Sequence, residues 1–206
     1  MKIVVLPGVG FNKDKELYQG FLDKITTELK CEGEVCYWKH DWPLPEITLP
    51  YKSLRKWVYE VMLDFQQVVK DAFVTPIPKA DYYIGHSAGS ILALAQKDIP
   101  CVIMGSPACL IECLGAQARE GYNEDVTIKL AKLAEILKTP RPVLNIINKY
   151  DQLAYYLDHD GVDNMVYRDS WFHFNTYNPI ATHLDYWTRK KVIKQITTTI
   201  KKWESD

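Results

Sequence analysis

The sequence lacks the features that mark membrane-spanning, nucleic-acid-binding and secreted proteins. No stretch of its 206 residues approaches the roughly 18 unbroken apolar residues of a transmembrane helix. With 25 basic and 26 acidic side chains, the formal net charge is −1, so no basic surface favours nucleic acid or anionic lipid. The first ten residues, MKIVVLPGVG, are broken by proline and glycine too early for a secretory signal. These absences argue against a membrane span and against a nucleic-acid partner.

Cysteine is scarce and shows no pairing pattern. The chain has 5 cysteines, an odd number, and none of them forms a C-x-x-C pair. This usage predicts reduced thiols that pack as small buried side chains, and a cytoplasmic protein. The five are Cys31, Cys36, Cys101, Cys109 and Cys113.

No internal repeat or Gly/Ser-rich linker divides the chain, so we expect one domain over residues 1–206. Short apolar runs alternate with helical patterns along its whole length. Strands are predicted at 2–6, 34–38, 81–85, 100–105, 142–148 and 163–168. Helices are predicted at 17–29, 54–72, 126–137, after residue 87, and from about 184 to the end. This alternation predicts an α/β three-layer sandwich: a mostly parallel sheet of about six strands with helices on both faces.

One motif follows the third predicted strand. Residues 85–89 read Gly-His-Ser-Ala-Gly, which is the pattern G-x-S-x-G. Between a strand and a helix, this pattern is typical of a sharp turn that exposes the serine, here Ser87, as a nucleophile. The two glycines suit a turn where backbone segments pass close together, and the Ala88 N–H would face an oxyanion. The alternative is an ordinary small-residue turn.

The loop after the first strand reads LPGVGFN, residues 6–12. A glycine-containing loop in this place can present a second N–H group to an oxyanion, and Val9 or Gly10 is the expected donor. The loop matches neither G-x-G-x-x-G nor G-x-x-x-x-G-K-[ST], which argues against nucleotide binding.

An acid and a base follow the later strands. Asp151, in NKYDQLA, follows the fifth strand and could orient an imidazole, although capping a short helix is an equally ordinary role. His183, just before the last predicted helix, is the preferred base for the serine; His173 and His159 are the alternatives. The chain order Ser87, Asp151, His183 is the order expected when the serine lies on a strand-to-helix turn.

With these motifs the sequence resembles the α/β-hydrolases over nearly its whole length. The resemblance is carried by VVLPGVG, YYIGHSAGS, VLNIINKYDQLA and ATHLDYW. It implies a small, compact serine hydrolase with little or no cap. The chain departs from the family in three ways: it begins at the family's third strand, it has Pro7-Gly8 where His-Gly is usual, and only residues 106–123 could form a short lid.

The predicted function is cleavage of a carboxylic ester in a small acyl substrate through an acyl-enzyme. Ser87, His183 and Asp151 would form the triad, and the Ala88 N–H and that of Val9 or Gly10 the oxyanion hole, without metal or organic cofactor. A thioesterase, an aminopeptidase or amidase, an acyltransferase and a catalytically silent binding protein remain alternatives. Aromatic residues that could line an acyl pocket, or only pack the domain, are Trp38, Trp42, Trp171, Phe172 and Tyr186.

Overall fold

The computed structural model describes residues 1–8, 15–38, 68–109, 124–151, 154–168 and 179–206. The strands are β1 (Lys2–Leu6), β2 (Glu32–Val35), β3 (Tyr82–His86), β4 (Cys101–Met104), β5 (Val143–Asn148) and β6 (Val162–Tyr167). The helices are α1 (Lys15–Leu29), α2 (Ala88–Ala95), α3 (Glu124–Lys138), α4 (Pro179–Leu184) and α5 (Lys190–Trp203), with a 3₁₀ turn at Asp185–Trp187.

In the described part of the chain all the strand pairs are parallel, in the order β2-β1-β3-β4-β5-β6. The chain runs from β1 outward to β2 and then returns to the other side of β1 to form β3. The strand order therefore reverses between β1 and β3. In open α/β sheets, ligand sites lie beyond the carboxyl ends of the strands at such a reversal. The loops after β1 and β3 meet at this point.

The sheet is covered on both faces, as its nearly continuous apolar strands require. Alternate residues of each strand point to opposite faces, so Val4 and Leu6 join one buried cluster while Ile3 and Val5 join the other. The first cluster includes the apolar sides of α2 and α3, and the second those of α1 and α5. This arrangement confirms the predicted three-layer architecture with six parallel strands.

Two element boundaries differ from the sequence-based prediction. The second strand covers Glu32–Val35 rather than 34–38, because Trp38 leaves the sheet and its Nε1–H donates to the Pro7 carbonyl at 2.8 Å. The last helix begins at Lys190 rather than near residue 184, after the separate helix α4 and the 3₁₀ turn. Of the helix predicted over 54–72, residues 68–71 are helical and 54–67 lie outside the described residues.

The described helices include none with the length and hydrophobicity to cross a membrane. Four of the cysteines lie in the described residues and form no disulfide there, while Cys113 lies outside them. Burial raises the pKa of the Cys101 thiol to about 11, which keeps it protonated and unreactive.

Candidate active site

Ser87 lies on a strained turn between β3 and α2. Its φ of 52° and ψ of −126° are unusual for a residue with a Cβ, and such strain persists only where the surroundings hold it. The backbone is held on both sides: the Ser87 N–H donates to the Met104 carbonyl at 3.0 Å, and its carbonyl accepts from the Ser90 N–H at 3.0 Å. The β3-to-α2 turn therefore fixes the position of this serine.

Both glycines of the motif are required by close backbone contacts, which confirms the expectation from the sequence. A Cβ at Gly89 would lie 2.0 Å from the Leu6 carbonyl oxygen. A Cβ at Gly85 would lie 2.6 Å from the Ser90 Cα. No side chain fits at either position, because backbone atoms of β1 and α2 occupy the space.

Two serine hydroxyl groups, from α2 and from the segment after β4, stabilise the Ser87 turn through hydrogen bonds. The buried Ser90 hydroxyl donates to the Ser87 carbonyl at 2.5 Å and lies 2.7 Å from the Ser106 hydroxyl. Ser106 in turn accepts from the Ala108 N–H at 3.2 Å. The start of the predicted lid segment, residues 106–109, is thus tied to the serine turn, and residues 110–123 lie outside the described residues.

Gly8, after β1, lies directly against the serine. A Cβ at this position would be 2.8 Å from the Ser87 Cβ and 3.3 Å from its Oγ. The proposed oxyanion donors Val9 and Gly10 follow it but lie outside the described residues, whereas Ala88 is the first residue of α2. Trp38 is buried and anchors this loop through Pro7, whereas Trp42, Trp171 and Phe172 lie outside the described residues.

Asp151 and His183 form a buried pair at the same edge of the sheet. The His183 Nδ1 lies 2.8 Å from the Asp151 Oδ2, and the two side chains are 9% and 1% exposed. The loop after β5 holds the aspartate, whose N–H donates to the Asn148 carbonyl at 2.9 Å. His183 lies inside α4, rather than just before the last helix as predicted. His159 takes no part in this pair, and His173 lies outside the described residues.

Gly105, which follows β4, lies against the Asp151–His183 pair and directly follows the residue that bonds the Ser87 backbone. Its φ is +54°, and a Cβ there would lie 2.9 Å from the Asp151 Oδ2 and 3.1 Å from the His183 Nδ1. The preceding residue, Met104, accepts the hydrogen bond from the Ser87 backbone. Among the described residues, Ser87 Oγ makes no hydrogen bond to His183, and the buried His183 Nε2 has no hydrogen-bond partner.

Tyr186 contacts the same carboxylate, a role that the sequence reasoning missed. Its hydroxyl donates to the Asp151 Oδ2 at 2.8 Å and accepts from the Asn148 N–H at 2.9 Å. The side chain is fully buried, which fits the packing role that the sequence left open beside a place in an acyl pocket. Burial first, and then the Asp151 charge, raise the pKa of Tyr186. The hydroxyl therefore remains a proton donor.

His86 supports the backbone of His183 from β3. It is fully buried, and its Nε2–H donates to the His183 carbonyl at 2.6 Å. The two imidazole rings lie 4.6 Å apart, with the Trp187 ring also in contact with His86. Burial, followed by the neighbouring His183, lowers the pKa of His86 to about 3. Alternation along β3 could have indicated its burial, because Tyr82, Ile84 and His86 share one face.

The buried His86 predicts a loss of stability in acid. Because its pKa lies below the ordinary value of 6.5, its neutral form stabilises the fold fully above that pH, and this contribution disappears as the pH falls towards 3. Urea unfolding should give a wild-type free energy about 2 to 3 kcal/mol lower at about pH 4.5 than at about pH 7.5 from this group alone. His86→Gln should lack that part of the pH dependence. Equal pH dependence in the two proteins would contradict the prediction.

The described residues contain no group of three or more His, Cys, Asp and Glu side chains that could hold a metal ion. At the carboxyl edge of the sheet, the described residues place a strained serine and a carboxylate–imidazole pair.

Comparison with known proteins gives one distant structural match. The sequence matches no protein-family model, and no curated protein is significantly similar to it. Among solved structures, it is similar to the crystal structure of carboxyl esterase 2 from the mycorrhizal fungus Tuber melanosporum, with a TM-score of 0.43 and 11% sequence identity. The match covers 96% of this chain and 75% of the esterase chain.

Proposed function

We propose that this protein is a serine hydrolase of the α/β-hydrolase type that cleaves a carboxylic ester through an acyl-enzyme. Ser87 would be the nucleophile, His183 the general base and Asp151 the residue that orients it. The observation that supports this most is the convergence at the end of β4. There the strained Ser87 bonds to the Met104 carbonyl, while the next residue, Gly105, packs against the Asp151–His183 pair.

The proposed reaction has two halves that use the same groups. Ser87 Oγ attacks the substrate carbonyl carbon while His183 Nε2 takes the hydroxyl proton, and the carbonyl oxygen becomes an oxyanion. The oxyanion is stabilised by the Ala88 N–H and by that of Val9 or Gly10. Collapse breaks the ester bond, and His183 returns the proton to the leaving alkoxide. Water then hydrolyses the acyl-enzyme by the same steps.

The charges around the pair suit this cycle. His183 Nδ1 is engaged by Asp151, so Nε2 is the nitrogen left to take the proton. The buried carboxylate would stabilise the imidazolium that forms during attack. The low pKa of His86 keeps the adjacent ring neutral, so no second positive charge opposes the imidazolium. The two histidines thus have different roles, although they are in contact.

The substrate class and compartment are also part of the proposal. A carboxylic ester is the chosen substrate because an alkoxide leaves more readily than an amine, and the same triad could serve a thioester or amide with a different pocket. The odd number of cysteines, 5 in all, is the reason for proposing the cytoplasm.

Labelling with a fluorophosphonate probe tests the proposed function. The wild-type protein should gain one covalent adduct, detected by intact mass, and peptide mapping should locate it at Ser87. Ser87→Ala should gain none, because the probe reacts only with an activated nucleophile. Ser205→Ala is the matched control, since this exposed C-terminal serine bonds only the Lys202 carbonyl in the described structure and should label like wild type.

Two outcomes would contradict the proposal: a well-folded wild type that never labels, or a Ser87→Ala variant that labels at the wild-type rate. The first would favour a catalytically silent binding protein. If labelling occurs as expected, a panel of esters, thioesters and aminoacyl amides, with and without an alcohol acceptor, identifies the bond and separates hydrolysis from acyl transfer.

A further inference from the structure

The carboxylate of Asp151 is shared between two donors. Its Oδ2 accepts one hydrogen bond from His183 and a second from the Tyr186 hydroxyl, each at 2.8 Å. The tyrosine oxygen itself accepts from the Asn148 N–H at 2.9 Å. A backbone amide of β5, a phenol, a carboxylate and an imidazole thus form one buried chain of hydrogen bonds.

We infer that Tyr186 is a positioning residue that sets the basicity of His183 through Asp151. The inference rests on the proposed function for its catalytic meaning, although the hydrogen bonds themselves do not depend on it. Tyr186 does not contact the serine in the proposed mechanism. It acts by taking up part of the carboxylate charge, while Oδ2 keeps its own hydrogen bond with His183.

The direction of the effect follows from hydrogen bonding to a charged group. An O–H donor stabilises the ionised carboxylate and draws charge from it, which weakens its attraction for a protonated imidazole. Without the hydroxyl, the same carboxylate would stabilise the imidazolium more strongly. Removing the Tyr186 hydroxyl should therefore raise the titration midpoint of His183.

The other described groups packed near His183 and Tyr186 carry no charge that would mask a change in the His183 midpoint. From β3, the ring of His86 packs against His183, and it stays neutral over the pH range of interest. From β6, Tyr167 packs its ring on Tyr186 at 5.6 Å. Asp151 supplies the only carboxylate bonded to His183 in the described structure. A change at the Tyr186 hydroxyl should thus reach His183 mainly through Asp151.

The test is an NMR titration of protein labelled with ¹⁵N-histidine, in which the His183 signals are identified by their loss in His183→Ala. In Tyr186→Phe the His183 midpoint should rise by about 0.5 to 1 pH unit relative to wild type. The matched control is Tyr83→Phe on β3, which removes a partly buried hydroxyl that donates to the Pro78 carbonyl, and it should leave the midpoint unchanged. An unchanged midpoint in Tyr186→Phe would overturn the inference.

A second substitution tests the same inference if Tyr186→Phe does not fold. Site-specific 3-fluorotyrosine at position 186 keeps the ring and hydroxyl but makes the hydroxyl a stronger donor, so the His183 midpoint should move down. A midpoint that stays or rises would overturn the inference. If the enzyme hydrolyses esters, the acid limb of kcat/KM should move with the NMR midpoint while KM changes little. If the protein hydrolyses no ester, the proposed function fails, and the NMR titration still decides whether Tyr186 acts on His183.

Discussion

Replacing His183 with alanine is expected to lower kcat/KM for an activated ester by about 10⁵- to 10⁶-fold, the size of loss measured when a triad histidine is removed elsewhere. The serine hydroxyl is a weak nucleophile near neutral pH without a base. In this structure, the imidazole bonded to Asp151 lies against Gly105 at the end of β4, and its Nε2 has no hydrogen-bond partner among the described residues. Its removal would leave the proposed oxyanion donors in place but no acceptor for the proton.

The measurement is hydrolysis of an activated ester by purified wild type, His183→Ala and His173→Ala. His173 is the alternative base in the sequence, so its variant should keep wild-type turnover. His183→Ala leaves the buried Asp151 without its imidazole partner, so near-UV circular dichroism should first show that the variant is folded. His183→Gln keeps more of the side-chain volume than alanine, so its rate of ester hydrolysis provides a second measurement. Full activity without His183, or its loss without His173, would reverse the assignment.

The sequence predicted the fold because the strands of a doubly covered parallel sheet are nearly unbroken apolar runs. Such runs, separated by helical patterns, leave few other architectures. The sequence-based prediction was wrong where an apolar side chain does not continue the strand. Trp38 is apolar enough to extend β2, but its indole N–H turns to the Pro7 carbonyl instead. Periodicity cannot show this, since it depends on where the β1 loop lies.

The break before the last helix shows the same limit. Leu184, Val192 and Ile196 are spaced as on one helix, so the sequence predicts a continuous element. In the structure Arg189 is extended, with φ of −78° and ψ of 116°, between the 3₁₀ turn and α5. The break allows His183 and Tyr186 to face Asp151 while α5 packs on the sheet. The contacts of His183 and Tyr186 with Asp151 therefore interrupt a helix that the apolar spacing alone would continue.

The candidate site was predicted from strand ends, and its supporting groups were not. Ser87, Asp151 and His183 could be named because parallel strands bring their carboxyl ends to one edge. Tyr186 and His86 were missed as partners because their hydrogen bonds join segments far apart in sequence. One signal was available: Tyr186 follows His183 by three residues, and residues so spaced share a helix face. A buried aromatic residue on that face was a reasonable partner for the acid.

Changing Asp151 to asparagine is expected to lower kcat by about 10³- to 10⁴-fold while the fold is retained. Two donors meet at the Oδ2 of this residue, from His183 and Tyr186. If asparagine places its carbonyl oxygen there, both hydrogen bonds survive but the negative charge that stabilises the imidazolium is lost. If it places its NH₂ group there, His183 Nδ1 must accept, and the proton moves to Nε2. The ring could then no longer act as a base toward Ser87.

Both orientations thus predict slow chemistry in a folded protein, which distinguishes this change from general destabilisation. The measurement is kcat for an activated ester together with the urea unfolding midpoint, and kcat should fall far more than stability explains. Asp185→Asn is the matched control: it removes a carboxylate two residues from His183 that pairs with Arg189 at 2.5 Å near the surface, and its kcat should equal that of wild type. A wild-type rate in Asp151→Asn would remove this residue from the mechanism and leave, among the described groups, the helix backbone and His86 to orient His183.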